Sequence, residues 1–123
     1  MKEKNNLING KKMRQKLYEL QAQMCQVFTS SKRLEILNLL REKELSVSQV
    51  AMLLNIRQAN LSQHLTILRE RGVVKTRREG VVIYYSLSNP KIIKAFDIIK
   101  EILFEKMSKD GRFFQRISKG KRS

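Results

Sequence analysis

The 123-residue chain has one cysteine, one histidine and no apolar run near the roughly 18 residues that a membrane-spanning helix needs. The lone Cys25 excludes an intrachain disulfide framework and fits a reducing compartment. The lone His64 cannot by itself build a metal site or a catalytic triad within the chain. There is no nucleophile–base pair and no glycine-rich phosphate loop, so the chain does not read as an enzyme and no cofactor is implied. The opening residues, Met1-Lys2-Glu3-Lys4-Asn5-Asn6, lack the apolar stretch of a signal peptide. A cytoplasmic protein without membrane attachment is expected.

Negative charge is also scarce. Eleven acidic residues stand against 26 lysines and arginines, a formal net charge of +15. A field of that sign draws in polyanions. The ends contribute, with six basic against two acidic residues in 1–20 and six against one in 109–123. The stretch 31–88 is basic in its own right, with ten against five.

Periodicity organises the rest. Met13, Leu17, Leu20, Met24 and Val27 recur in steps of four and three, the seam of an amphipathic helix. Thr29, Ser30 and Ser31 offer N-cap oxygens for a second helix over 32–41, whose Leu34, Ile36, Leu37, Leu39 and Leu40 predict burial. Ser46-Val47-Ser48-Gln49 has the form of a capping box, opening a short helix with Val47, Val50, Ala51 and Leu54 on its inner side. Asn55-Ile56 makes a tight turn, and a further helix from about Gln58 to Arg71 carries Leu61, Leu65 and Leu68 before Gly72 ends it. The segments 73–78 and 81–87, with Glu79-Gly80 between them, read as a β-hairpin. Ser88-Asn89-Pro90 restarts a helix whose second seam is Ile92, Phe96, Ile99 and Leu103. Beyond Lys109 the period fades into a basic tail, in which Phe113, Phe114 and Ile117 could dock.

The order is α-α-α-α-β-β-α: a mainly helical domain over 1–108 with a small hairpin, and a tail over 109–123. Two short helices joined by a tight turn and followed by a basic hairpin form the plan of a winged helix-turn-helix. With Leu61 at zero on a wheel of about 100° per residue, Leu65 and Leu68 lie within roughly 40° of it. Ala59, Ser62, Gln63 and Thr66 then face away. A short, polar, uncharged face suits a major groove. Gln58 and Gln63 can pair with adenine, Ser62 and Thr66 with either partner type, and Ala59 can meet a thymine methyl. Asn60, Arg57 at the helix mouth, Arg69 at its far end and the wing pair Arg77 and Arg78 complete the expected contacts with double-stranded DNA. Arg77 and Arg78 are expected to straddle the phosphate backbone or enter the minor groove.

Two exposed apolar seams on a chain this small imply an interface, hence a homodimer through Met13, Leu17, Leu20, Met24 and Val27 and through Ile92, Phe96, Ile99 and Leu103. Cys25 is expected to be a small buried group, the alternative being a thiol switch across the dimer. His64 falls about 60° from Leu61, which points to a scaffold or phosphate role. A sequence-indifferent architectural DNA protein remains the competing class.

Ser31 through Leu37, Glu44 through Val50, Gln58 through Leu65, Leu68 through Val74, Arg77 through Gly80 and Tyr84 through Leu87 together resemble the ArsR/SmtB family of bacterial and archaeal repressors. The resemblance covers roughly residues 25–105. It implies a homodimer built from the first and last helices, a two-fold operator, and repression relieved by an inducer that these residues do not name. The metal-sensing members carry a Cys-x-Cys pair where this chain has Ser46-Val47-Ser48, and hydroxyls are poor ligands for soft metals. The last helix offers Asp97, Glu101 and Glu105 without a histidine, so the resemblance is to the metal-independent branch. Arg57 stands where the family often has a serine cap.

Overall fold

The computed structural model describes residues 2–109, with side chains from Asn9 onward. The described chain falls into two compact units, one ending at Ser88 and one beginning at Asn89. The basic tail, with Phe113, Phe114 and Ile117, lies outside the described residues.

In the first unit, helix α1 spans Lys2–Gln26, about 37 Å at 1.5 Å per residue, and starts well before the first seam residue. Gly10 inside it costs roughly 1 kcal/mol of helix propensity relative to alanine. The helix tightens into a 3-10 turn at Val27–Thr29, where the Thr29 hydroxyl donates to the Gln26 carbonyl at 2.8 Å. That turn takes Val27 off the seam and into the core, at 2% exposure. Four seam residues, Met13, Leu17, Leu20 and Met24, remain exposed along α1. Cys25 is exposed too, which corrects the expectation of a buried thiol: among the described residues α1 makes its principal packing contact with the 3-10 turn alone.

Helix α2 (Ser31–Leu39) is capped by the Ser30 hydroxyl, which accepts from the Arg33 amide at 3.4 Å. Ile36, Leu37 and Leu40 are buried, whereas Leu34 in its first turn stays on the surface. Helix α3 (Val47–Leu54) opens with both halves of the capping box in place: the Gln49 amide donates to Ser46 Oγ at 3.2 Å and the Ser46 amide to Gln49 Oε1 at 2.8 Å. Helix α4 (Gln58–Glu70) buries Leu61, Leu65 and Leu68 completely.

Helices α3 and α4 stop in the same way. After α3, Asn55 adopts a left-handed conformation, its amide donates to the Met52 carbonyl, and the Ile56 amide reaches the Ala51 carbonyl. After α4, Gly72 takes a positive φ and donates to Arg69, while Val73 reaches Leu68. These are paired Schellman closures, which satisfy carbonyls a helix end would otherwise leave bare.

The sheet has three antiparallel strands rather than the two expected, in the order β1 (Leu45–Ser46), β3 (Val82–Leu87), β2 (Val74–Glu79). Leu45 pairs with Tyr85 and Ser46 with Tyr84. In the hairpin Val74 faces Leu87 and Glu79 faces Val82, so the two-residue turn is Gly80-Val81, one position later than the sequence suggested. Gly80 has φ +63 and Val81 does not share a positive φ, the pattern of a type II′ turn, which matches the twist of the strands it joins.

In the second unit, helix α5 spans Lys91–Lys109, with the Asn89 side chain accepting from the Lys91 amide at 3.0 Å. Ile93 is its buried residue. Ile92 and Phe96 are half-buried, while Ile99 and Leu103 are exposed together with Ile98, Ile102 and Phe104. Among the described residues no helix is long and apolar enough to cross a membrane.

Candidate nucleic-acid interface

Helix α4 separates its faces cleanly. The three leucines anchor one side in the core, and Gln58, Ala59, Asn60, Ser62, Gln63, Thr66 and Arg69 are all exposed. Arg57 is the N-cap residue and makes no side-chain cap bond, so its guanidinium stays at the helix mouth without satisfying the helix end. Two side chains of the outward face are already engaged. Gln58 Nε2 donates to Ser48 Oγ at 3.3 Å, pinning the start of α4 to α3. The Thr66 hydroxyl donates to the Ser62 carbonyl at 2.8 Å, which leaves its methyl and an oxygen lone pair to project outward.

His64 is held by the scaffold. Its Nδ1 accepts from Arg33 Nε at 3.3 Å, and Arg33 Nη1 donates to the Val27 carbonyl at 3.0 Å. One arginine thus ties the turn after α1 to helix α4. Burial, and then the charges of Arg33 and Lys32, hold the His64 pKa below the ordinary imidazole value. The neutral ring with its proton on Nε2 is the form this bond selects. Arg33 was not singled out by sequence reasoning; its partner lies 31 residues away, and no local pattern encodes that pairing.

The two arginines of the wing stand in different surroundings. Arg77 and Arg78 are adjacent in β2, so their side chains leave opposite faces of the sheet. Arg78 shares the face of Val74, whose partner Leu87 is buried with it, but lies beyond them toward the turn and is exposed. Arg77 sits on the other face and is occupied. Its Nε lies 3.1 Å from both Glu44 oxygens, Nη2 also bonds Glu44, and Nη1 donates to Glu79 at 3.0 Å. Its guanidinium carbon stands 4.8 Å from the centre of the Tyr84 ring. The Arg77 bonds hold the Glu44 carboxyl below the usual carboxylate range, and both carboxylates raise the guanidinium. Glu44 is the second residue sequence reasoning missed. An acidic side chain just before a strand too short to show a period gives no sign of its partner.

Ser46 and Ser48, which the resemblance set against a metal-sensing pair, are both engaged in the fold: Ser46 caps α3 and Ser48 receives Gln58. Among the described residues no three histidine, cysteine or carboxylate side chains are grouped to hold a metal.

Residues 30–76 match the family profile described as bacterial regulatory protein, arsR family. The transcriptional activator HlyU of Vibrio cholerae is 33% identical over 79 residues, which cover 64% of this chain and 73% of HlyU. The transcriptional repressor PagR of Bacillus anthracis is 39% identical over 72 residues, 58% of this chain and 72% of PagR. The solution structure of the homodimeric winged helix-turn-helix DNA-binding domain of Mycobacterium bovis Mb0332 superposes with a TM-score of 0.71 at 25% identity, covering 79% of this chain and 90% of that one. The fold is therefore a winged helix-turn-helix, its relatives are regulators of transcription and not enzymes, and the chain belongs to the ArsR family of bacterial transcriptional regulators.

Proposed function

We propose that the chain acts in the cytoplasm as a homodimeric repressor that reads a pseudo-palindromic operator, one α4 helix in each of two successive major grooves. The observation that carries this is the outward face of α4: Ala59, Asn60, Ser62, Gln63 and Thr66 are exposed and uncharged in a chain of net charge +15. Groove-reading positions that are short and neutral, flanked by Arg57 and Arg69, allow close approach of the helix, with phosphates gripped at its ends. At the wing, Arg78 is exposed toward the backbone or minor groove, whereas Arg77 is held by Glu44.

The dimer is supported by the exposed apolar rows Met13, Leu17, Leu20 and Met24 on α1 and Ile99 and Leu103 on α5, and by the homodimeric state described for Mb0332. Ile92 and Phe96 extend the α5 row; Val27 does not extend that of α1, because it is buried in the protomer. PagR is described as a repressor, which supports the repressing sign, and HlyU as an activator, which is the alternative.

The test is selection of duplexes from a random pool by the full chain, followed by competition against unselected DNA. A symmetric site, with half-sites about one helical turn apart and preferred by 10³-fold or more, is the expected result. Equal affinity for all duplexes would replace this reading with an architectural protein.

A further inference from the structure

We propose that Glu44 is a specificity-determining residue that acts through Arg77, withholding this arginine from the phosphate backbone and fixing the outer face of the wing. The inference rests on the DNA-binding reading above. Three groups converge on one guanidinium: the Glu44 carboxylate in a bidentate grip, the Glu79 carboxylate, and the Tyr84 ring beneath. Both planes of the guanidinium's recognition chemistry, its hydrogen-bonding fork and its stacking face, are therefore used within the protein.

Stability does not account for the cluster. Arg77 is 50% exposed and Glu44 38% exposed, and ion pairs at such positions add little to folding. Its effect on charge is larger. Two carboxylates around one arginine leave the cluster with one net negative charge on the outer side of the wing, with Lys75 nearby as the remaining cation. In a strongly basic chain such a group weakens sequence-independent attraction at one place. Specificity is a ratio of affinities, and lowering the non-specific term raises it as surely as adding a base contact. The cluster also joins two parts of the fold. Glu44 precedes β1, which runs beside β3, and Arg77 lies across from Tyr84 in the same sheet.

The experiment measures binding of random-sequence duplex by the full chain across a salt series, for the parent, E44Q, R77A, the double variant and E42Q. E42Q removes an equal charge from the same loop without touching Arg77. Freeing one arginine for one phosphate should steepen the slope of log affinity against log salt by about 0.9 in E44Q and tighten random-DNA binding severalfold. E42Q should keep the parent slope. R77A should leave the slope unchanged in the parent background and cancel the added slope in the E44Q background. R77K, which keeps the charge but loses the fork and the stacking, should shift in the direction of E44Q and so excludes a bulk-charge explanation. Thermal melting confirms that each variant is folded. An E44Q slope equal to that of E42Q would overturn the proposal, as would a parent-background R77A that loses a full phosphate contact. A parent with no salt-dependent DNA binding would instead overturn the functional reading on which it rests.

Discussion

Helix α4 and the wing are both expected from sequence to turn polar or cationic surfaces toward DNA, yet they are built in opposite ways. Helix α4 spends its apolar side chains on the core and leaves its outer row exposed, with Gln58 and Thr66 alone making short bonds back to the protein. The wing instead engages one of its two adjacent arginines in a network of its own on its outer face. A helix alternates every few residues around a cylinder, so a run of outward positions shares one environment. A strand sends neighbours to opposite sides, so Arg77 and Arg78 meet different surroundings. By contrast with α4, a count of basic residues overstates the unengaged cations on a hairpin, since Arg77 is bonded to Glu44 and Glu79.

The largest test of the comparison falls on the side of α4 that supports its reading row. Leu65→Ala removes a fully buried side chain and should cost about 2–5 kcal/mol in denaturant unfolding, lowering operator binding through loss of fold. Next, Gln63→Ala should leave the melting temperature unchanged and reduce discrimination at one operator position by about 1–3 kcal/mol, measured by competition between matched and mismatched duplexes. Equal loss on all sequences would move the reading face elsewhere. On the wing, Arg78→Ala should flatten the salt slope by about 0.9 for random and specific DNA alike, whereas Arg77→Ala should not.

The smallest effect concerns His64. Its folded pKa lies below the unfolded value of about 6.5, so between the two the unfolded chain binds more protons. Stability is therefore fully present above that value and declines as pH falls through 6.5 toward the folded pKa. A His64→Gln variant should show a shallower loss of melting temperature between about pH 7 and 5. An unchanged pH profile would mean that burial and the charges of Arg33 and Lys32 do not hold the imidazole pKa down.

What was legible in the sequence was local. Ser46 and Gln49 specify the capping box, Asn55 and Gly72 the two helix closures, and Leu61, Leu65 and Leu68 the orientation of α4, each within one or two helical turns. What was not legible depends on residues distant in sequence. Strand β1 has two residues and exists because Leu45 and Ser46 meet Tyr85 and Tyr84. Arg33 finds His64, and Arg77 finds Glu44, across separations of 31 and 33 residues. Val27 was assigned to a seam because its spacing fits, but a 3-10 turn changes the angular step and redirects it inward. On α5 the buried isoleucine is Ile93, not its seam neighbour Ile92, because the face it fills lies about 100° away.

Ser46 has a consequence for the mechanics of binding. The same residue pairs with Tyr84 as a strand position of the sheet and closes the start of α3 as its cap. The wing and the helix-turn-helix therefore share a joint and have no linker between them. Relative motion of groove-reading helix and hairpin would have to break a cap or a strand pair. On the DNA-binding reading proposed above, their spacing would be set when the chain folds and not on meeting DNA, so the ordering entropy would already be spent and a half-site would have to conform to the protein.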